Sequence, residues 1–398
     1  MSWAVKRVEE IADFTLGKML DEKKNKGEYL PYLANLNVRW GEFDLSDLRQ
    51  MRFEQHELER FSVRTGDIVM CEGGEPGRCA IWKDSNAQAM IQKALHRIRP
   101  KVGINNSFLY YAFLNLKRTG GFTPYFTGST IKHLPKQQLA KVEIRIPELS
   151  VQEHISSVLE VYDNLIENNG RRIQLLEESA RLLYQEWFVH LRFPGHEQVK
   201  FTDGVPEGWN TSTIGELSSY LNRGITPKYD DDGEYVVINQ KCIRNRVLSF
   251  EPARRQIKEY KEEKGVRLGD ILINSTGTGT LGRVAQVWDV VEKVCVDTHV
   301  TIVRPAKDIP YLWLGYCLLG MERRLEDMGE GATNQKELKR QYVADISVLK
   351  PSNALIEMFH DTVLDNTKQI QNLVKTNKSL VQARDLILPK LMSGELTV

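Results

Sequence analysis

The sequence predicts an α/β protein in which two duplicated α/β modules are joined by two long helices that form an antiparallel coiled coil. Two segments, 204 positions apart, carry apolar residues at the alternating four- and three-residue spacing of a heptad seam. Short motifs also recur in the same order in both halves, and such repeats indicate a duplicated structural unit. With 398 residues and 41% hydrophobic content, the chain is long enough for two or three domains with their own cores.

The first module covers residues 1–149 and is expected to mix strands with helices. Residues 67–71 form a β-type run, whereas residues 108–116 have a helical pattern. Three motifs recur about 205 residues later: Gly27-Glu28-Tyr29 as Gly233-Glu234-Tyr235, Gly66-Asp67-Ile68 as Gly269-Asp270-Ile271, and Gly77-Arg78 as Gly282-Arg283. The repeats imply that both modules share one fold.

A single long helix is predicted for residues 150–192, where Ser150 and Glu153 have the pattern of a capping box. Asn169 and Ala180 complete the spacing of its apolar seam. The seam residues are Ile155, Leu159, Tyr162, Ile166, Ile173, Leu176, Leu183 and Trp187. Gly170 fits this helix worst, because glycine costs about 1 kcal/mol in a helix interior, and a turn at this point is the alternative.

A Pro- and Gly-rich linker is predicted for residues 193–210, the second module for residues 211–351, and a second long helix with a tail for residues 352–398. The apolar seam of this helix is Phe359, Val363, Ile370, Leu373, Leu380, Ile387 and Leu391. A narrow seam buries itself best against a similar helix, so the two helices are expected to pair antiparallel within the chain. Two ordinary helices in separate domain cores are the alternative.

No catalytic or metal-binding constellation is found in the sequence. Residues 277–282, GTGTLG, match the dinucleotide-binding fingerprint in letters, but β-forming residues follow where that fingerprint needs a helix. A Gly/Thr-rich hairpin is therefore the preferred interpretation. There is no phosphate-binding loop, HExxH motif or Cys/His cluster, and so no metal ligand and no catalytic residue is predicted.

Cysteine usage and hydropathy indicate a soluble cytoplasmic protein without membrane contact. The five cysteines are odd in number and include no Cys-x-x-Cys pair. The amino terminus lacks the apolar stretch of a signal peptide, and the most apolar run, residues 309–321, is too short to span a bilayer.

Charge distribution indicates a polyanion such as nucleic acid as a partner, although the net charge is only +1. Residues 85–142 contain no Asp or Glu but nine Lys or Arg, with aromatic and hydroxyl residues interleaved. From this segment we select as DNA-contacting candidates Lys93, Arg97, Lys117, Arg118, Tyr125, Thr130 and Lys132. The alternative for any basic run is a solvated face.

In the second module a basic segment lies elsewhere, between residues 241 and 267, where nine Lys or Arg face four Glu. Loops on a rigid framework commonly carry recognition residues, so polar residues in Gly-flanked loops are added to this set. The candidates are Asn222, Arg223, Lys228, Arg244, Arg246, Arg283, Thr333, Asn334, Gln335 and Lys336. The different placement suggests that the two modules bind different sequences.

Several stretches resemble the specificity subunit of Type I restriction-modification systems. Residues 184–209, YQEWFVHLRFPGHEQVKFTDGVPEGW, resemble the end of that family's central conserved region, and residues 386–396, LILPKLMSGEL, resemble its carboxy-terminal ending. Residues 221–228, LNRGITPK, and the Gly-Asp-Ile strands resemble features of its target-recognition domains. Together with the two-fold organisation, the resemblance covers the whole chain.

The resemblance implies that each target-recognition domain recognises one half of a split, asymmetric DNA site. The helical pair would space the domains and dock methylation subunits, two in number, and restriction subunits would join through the assembled complex. The chain itself would bind no cofactor and catalyse nothing. S-adenosylmethionine, ATP and Mg would act in the partner subunits.

Two other classes of function remain as alternatives. The first is a self-contained DNA-modifying enzyme with a divergent site, which would transfer methyl groups without a partner. The second is a coiled-coil scaffold that binds only protein, which would have no affinity for duplex DNA at low salt.

Overall fold

The computed structural model describes residues 3–21, 25–84, 88–289, 293–331 and 336–396. The chain forms two compact units. Unit 1 comprises Met1–Asn168 and Thr376–Val398, and unit 2 comprises Asn169–Lys375. Each unit therefore contains one module, part of the first long helix and part of the second.

Unit 1 is built on two small sheets. Its elements are β1 (Ala4–Arg7), α1 (Val8–Ile11), β2 (Ala12–Leu16), β3 (Glu28–Leu33), β4 (Arg49–Phe53), α2 (Gln55–Phe61), β5 (Ile68–Cys71), β6 (Cys79–Ile81), β7 (Met90–Ile91), β8 (Leu95–Pro100), α3 (Asn106–Arg118), α4 (Lys136–Ala140), β9 (Glu143–Ile146) and the first part of the long helix α5 (Leu149–Tyr184). The strand orders are β2-β8-β5-β6 and β4-β3-β7, with a separate β1-β9 pair.

Strand β5 is apolar at every position because it is buried on both faces. Ile68 and Met70 pack with α3 and the first turns of α5, whereas Val69 and Cys71 pack with the β3 and β7 side chains of the second sheet. Successive side chains of a strand point to opposite faces, so a strand between two cores needs no polar alternation.

Unit 2 repeats this arrangement. Besides the second part of α5, its elements are β10 (Phe201–Thr202), β11 (Val205–Pro206), β12 (Asn210–Thr213), β13 (Ser218–Arg223), β14 (Tyr235–Ile238), β15 (Ile243–Arg244), β16 (Val247–Leu248), β17 (Arg254–Gln256), β18 (Ile271–Asn274), β19 (Val284–Gln286), β20 (Val294–Val296), β21 (Val300–Pro305), α6 (Tyr311–Leu319), α7 (Glu322–Asp327), α8 (Arg340–Ala344), β22 (Ser347–Lys350) and the first part of the second long helix α9 (Asn353–Ser393). The orders β13-β21-β18-β19, β17-β14-β20 and β12-β22 match those of unit 1, which confirms the predicted duplication.

The repeated Gly-Asp-Ile motif has the same structural role in both units. Asp67 accepts hydrogen bonds from Nε and Nη2 of Arg99, both at 2.7 Å. Asp270 accepts from the same two atoms of Arg304, both at 2.8 Å. Burial raises the pKa of the Asp270 carboxyl, while the Arg304 guanidinium opposes that increase. Each pair links the start of a central strand to the neighbouring strand, so this motif stabilises the framework.

The Gly/Thr-rich segment after β18 is a hairpin, as predicted. Strand β19 follows residues 275–283 and pairs antiparallel with β18, from Ile271 opposite Gln286 to Ile273 opposite Val284. A dinucleotide fingerprint would require a helix at this position, so that alternative is excluded.

The two long helices pack antiparallel, as the pairings within each unit show. In unit 1, Ile155 and Leu159 from the start of α5 share a core with Leu388 and Leu391 from the end of α9. In unit 2, Trp187 packs against Phe359 near the start of α9, with ring centroids 6.0 Å apart. Every predicted apolar seam residue is buried or half-buried.

Helix α5 continues through Gly170, so the predicted helix is confirmed there and the alternative turn is excluded. The helix ends in a π-helical turn, Gln185–Val189, which precedes the segment containing Pro194 and Gly195. Of the helices described, none is both long enough and apolar enough to cross a membrane.

Candidate nucleic-acid interface

In unit 1, several loops meet at one end of the β2-β8-β5-β6 sheet. We call residues 35–37, 72–78, 92–94 and 127–133 the loop edge of unit 1. The Glu72 amide donates to the Ala94 carbonyl at 2.8 Å, and the Leu134 amide donates to the Glu72 carbonyl at 2.7 Å. The Asn35 side-chain amide donates to the Gly73 carbonyl at 3.0 Å. These bonds hold the loops together at one edge.

Three of the predicted DNA-contacting residues lie on this loop edge. Lys93 is in the turn between β7 and β8, and Thr130 and Lys132 are in the loop from Thr127 to His133, which closes through reciprocal 2.9 Å backbone bonds. All three are exposed. The structure therefore brings together a subset of the residues selected from the acid-free segment.

Lys117 lies beside this edge but is engaged in an internal contact. Its ammonium is 3.4 Å from a Glu75 carboxylate oxygen. Glu75 also accepts hydrogen bonds from the Trp40 indole at 3.0 Å and from Arg78 at 3.1 Å. Burial tends to raise the pKa of Glu75, but these three donors hold it below its ordinary value. Lys117 therefore neutralises a loop carboxylate.

Arg97 was expected to contact DNA, and the structure corrects that expectation. Arg97 is only 8% exposed. Its Nη1 donates to the carbonyls of Glu59 and Ser62 at 3.1 and 2.8 Å, which lie at the end of α2. A guanidinium buried between a strand and a helix end has no face for a phosphate.

Arg118 and Tyr125 are also held within unit 1. Arg118 forms an ion pair with Asp385 of α9, which attaches the end of α3 to that helix. Tyr125 is half-buried against the α3 core, and its hydroxyl accepts a long hydrogen bond of 3.4 Å from the Glu143 amide. Each residue therefore has a contact within unit 1, and the DNA contact predicted for both stays a prediction.

Unit 2 has an equivalent loop edge, formed by residues 240–242, 275–282, 297–299 and 336–338. The Ser275 amide donates to the His299 carbonyl at 2.8 Å, and the Leu338 amide donates to the Ser275 carbonyl at 2.8 Å. These bonds match those of Glu72 and Leu134 in unit 1. The matching bonds align Gly73 with Thr276, Ala94 with His299 and Lys132 with Lys336.

Among the predicted residues of unit 2, Asn222, Arg223 and Lys336 lie at this edge. Lys336 is exposed. Arg223 instead donates to the Leu338 carbonyl at 2.8 Å and pairs with Glu337 at 2.6 Å, so its charge is already neutralised. Asn222 accepts from Arg340 at 3.1 Å. The predicted residues Thr333, Asn334 and Gln335 lie outside the described residues.

The other predicted residues of unit 2 are dispersed. Lys228 is exposed, and its carbonyl accepts from the Ile257 amide at 3.1 Å. Arg244 is exposed at the end of β15, and Arg283 is half-buried before β19. Arg246 pairs with Glu322 at 3.1 Å, which commits it to an internal contact.

Sequence reasoning missed three polar side chains on the loop edge of unit 2: Gln240, Thr276 and His299. The Thr276 hydroxyl lies 2.6 Å from Nδ1 of His299 and 3.5 Å from the Gln240 amide oxygen. None belongs to a basic run, so a search for charge could not find them. Aligning the two halves residue by residue would have shown that these positions differ between the repeats.

The described residues also include groups that could carry other chemistry. Glu54, His56 and Glu57 place ligand atoms within 4.8 Å of one another, but Glu57 is paired with Lys18. Burial raises the pKa of the Cys295 thiol to about 12 and that of Cys317 to about 11. Protonated, buried thiols are poor nucleophiles.

Comparisons with known proteins agree with this architecture. The family model "Type I restriction modification DNA specificity domain" matches residues 1–178 and again residues 206–352. The MjaIX specificity subunit of a Type I restriction enzyme from Methanocaldococcus jannaschii is 24% identical over 100% of this chain and 94% of its own length. The HindI specificity subunit from Haemophilus influenzae is 21% identical over 92% of this chain and 89% of its own length.

A solved structure shares the fold. The S subunit of a Type I restriction-modification system from M. genitalium superimposes with a TM-score of 0.55 at 17% identity, over 98% of this chain and 96% of its own. Because the family model matches once in each module and the two matches span most of the sequence, this chain belongs to the Type I restriction modification DNA specificity domain family.

Proposed function

We propose that this chain is the DNA sequence-specificity subunit of a Type I restriction-modification complex, in which each unit recognises one half of a split, asymmetric site. The observation that carries the proposal is the repeated loop edge. The framework residues are kept in both copies, as in the pairs Asp67–Arg99 and Asp270–Arg304, whereas the exposed side chains differ. A duplicated frame with different side chains suits two different half-sites.

Exposed lysines at equivalent positions supply a sequence-independent attraction to DNA. Lys132 lies two residues before Leu134, whose amide donates to the Glu72 carbonyl in unit 1. Lys336 lies two residues before Leu338, whose amide donates to the Ser275 carbonyl in unit 2. Cations on such loops position a protein on the phosphate backbone, while neighbouring uncharged side chains contact base edges.

Methylation subunits, two in number, are the partners proposed for the long helices, and restriction subunits would join through the assembled complex. In unit 2, α5 and its π-helical end expose Leu175, Leu182 and Val189, which are 64%, 46% and 60% exposed. They recur every seven residues outside the seam, so they form one stripe along the helix. An exposed apolar stripe of this kind suits a protein partner.

The catalytic chemistry is assigned to the methylation and restriction subunits. S-adenosylmethionine would bind to the methylation subunits, and ATP and Mg to the restriction subunits, within a complex located in the cytoplasm. The chain contributes the choice of site and no catalytic group.

The test is to purify the chain alone and with its methylation subunit. The chain alone should bind duplex DNA with a steep salt dependence and transfer no methyl group from S-adenosylmethionine. The complex should methylate a split site. Methyl transfer by the chain alone would support the enzyme alternative, and a lack of DNA binding by both preparations would support the protein scaffold.

The stripe is tested by Leu175→Ser with Leu182→Ser. This variant should lose co-purification with the methylation subunit while it keeps its affinity for DNA. Retained co-purification would exclude the stripe as the docking surface.

A further inference from the structure

On the loop edge of unit 2, the side chains of Gln240, Thr276 and His299 form a polar trio. We propose that Gln240 and His299 contact base edges, with Thr276 orienting the His299 ring, and that the trio determines part of the half-site that unit 2 recognises. This inference rests on the proposed function, because it assumes that the unit binds DNA.

The trio is fixed in place before any ligand binds. The Thr276 hydroxyl lies 2.6 Å from Nδ1 of His299, which orients the imidazole ring. The His299 amide donates to a carboxylate oxygen of Asp297 at 2.9 Å, which fixes the turn that carries it. Asn274 donates its side-chain amide to the Gln240 carbonyl at 3.0 Å, which fixes the third residue.

A glycine allows the hairpin to close on Gln240. Gly277 has φ +110°, and a Cβ at this position would lie 2.7 Å from the Gln240 amide oxygen and 2.3 Å from the Thr280 hydroxyl. Side chains rarely adopt this positive φ, and a Cβ would displace the Gln240 and Thr280 side chains, so this arrangement favours glycine.

The atoms suited to base recognition remain available. Within the part of the chain that the structure describes, neither Nε2 of His299 nor the amide nitrogen of Gln240 has a hydrogen-bond partner. His299 is exposed and Gln240 is half-exposed. A glutamine can donate to N7 and accept from N6 of adenine, and an imidazole can bond to one acceptor or donor in the major groove.

The internal repeat supports a role in specificity over a role in folding. The positions aligned with Gln240, Thr276 and His299 are Asn35, Gly73 and Ala94 in unit 1, on the same backbone hydrogen bonds. A residue needed for the framework would recur, as Asp67 does at Asp270. Gly73 of unit 1 aligns with Thr276, and a Cβ on Gly73 would lie 2.8 Å from Nδ1 of His133. The imidazole next to this position in unit 1 therefore comes from His133, which does not align with His299.

The test uses the full chain with its methylation subunit in a host whose methylated bases are mapped across the genome. His299→Ala and Thr276→Val should each reduce discrimination at the same base pair of one half-site by about tenfold, because the hydroxyl acts by orienting the ring. Gln240→Ala should relax the same or an adjacent base pair. The other half-site should keep its full specificity in all three variants.

Two controls separate base contact from general binding. His190→Ala removes an exposed imidazole at the end of the π-helical turn and should change neither half-site. The salt dependence of DNA binding should be the same for His299→Ala as for the unaltered chain, because no phosphate contact is lost.

An unchanged half-site in all three variants would overturn the inference and leave the proposed function intact. A uniform loss of affinity with a shallower salt dependence would also overturn it, since that result identifies a phosphate contact. If the unaltered complex methylates no split site, the proposed function fails and the inference fails with it.

Discussion

Removing two lysines from the loop edge of unit 1 should make DNA binding less sensitive to salt by a predictable amount. Among the nine cations of residues 85–142, Lys93, Lys132 and Lys141 are exposed, and their side chains form no hydrogen bond, ion pair or cation-π contact with a described residue. Only Lys93 and Lys132 lie on the loop edge, so these two are the expected phosphate contacts.

The magnitude follows from counting those contacts. Each phosphate contact contributes about 0.9 to the slope of log K against log salt, so Lys93→Ala with Lys132→Ala should reduce the slope by about 1.8. Adding Arg97→Ala and Lys117→Ala should not lower the slope further, whereas phosphate contacts at all four residues would lower it by about 3.6. The quadruple variant therefore tests whether Arg97 and Lys117 contact DNA, as the sequence alone predicts.

The assay is fluorescence anisotropy with a labelled duplex at salt concentrations between 50 and 200 mM, an interval in which the lost contacts change the affinity ratio about tenfold. A matched control is Lys6→Ala with Lys141→Ala, which removes the same charge. Lys6 lies in the β1-β9 pair, and Lys141 directly follows α4. An equal change of slope in both variants would refute the assignment of DNA contact to the loop edge, since net charge alone would explain it.

Three further predictions concern the framework. Arg97→Ala should lower the stability of unit 1 by about 3 kcal/mol and leave the salt slope unchanged, because its hydrogen bonds are internal; denaturant unfolding and the anisotropy assay check both parts. Burial lowers the pKa of His96 to about 4 from an ordinary 6.5. Unit 1 should therefore be fully stabilised above pH 6.5 and lose about 2 kcal/mol by pH 5, and unfolding of His96→Gln should lack this loss. Asp270→Asn should destabilise unit 2 by about 3 to 5 kcal/mol, and Asp67→Asn should destabilise unit 1 by less. The difference is expected because the arginine partner of Asp270 is 12% exposed, whereas that of Asp67 is 30% exposed. Hydrogen exchange can measure the stability of each unit separately.

Periodic features of the fold could be predicted from the sequence because they depend on local spacing. The heptad positions from Ile155 to Trp187 are buried or half-buried, and the Gly-Asp-Ile repeats do begin equivalent strands. The hairpin after β18 followed from the β-forming residues beyond Gly282. In each case the signal lay within a few residues of the element that it predicted.

The interface could be predicted only in part, because a segment without acidic residues is not a surface without them. Glu75 reaches Lys117 from an earlier loop, and Asp385 reaches Arg118 across 267 positions. The acceptors for Arg97 lie 35 and 38 positions away, so its burial has no local signature. The fold determines which cations remain available, and the sequence gives only their number.

The most direct test of the central claim is a genome-wide map of methylated adenines in a host that expresses this chain with its methylation subunit. We predict one motif with two specified segments separated by a gap of unspecified bases. We also predict that Lys132→Ala, Lys336→Ala and His299→Ala leave the gap length unchanged, and that only His299→Ala relaxes a specified base. A continuous motif, or a relaxed base in both segments after the single His299 change, would contradict the assignment of one half-site to each unit.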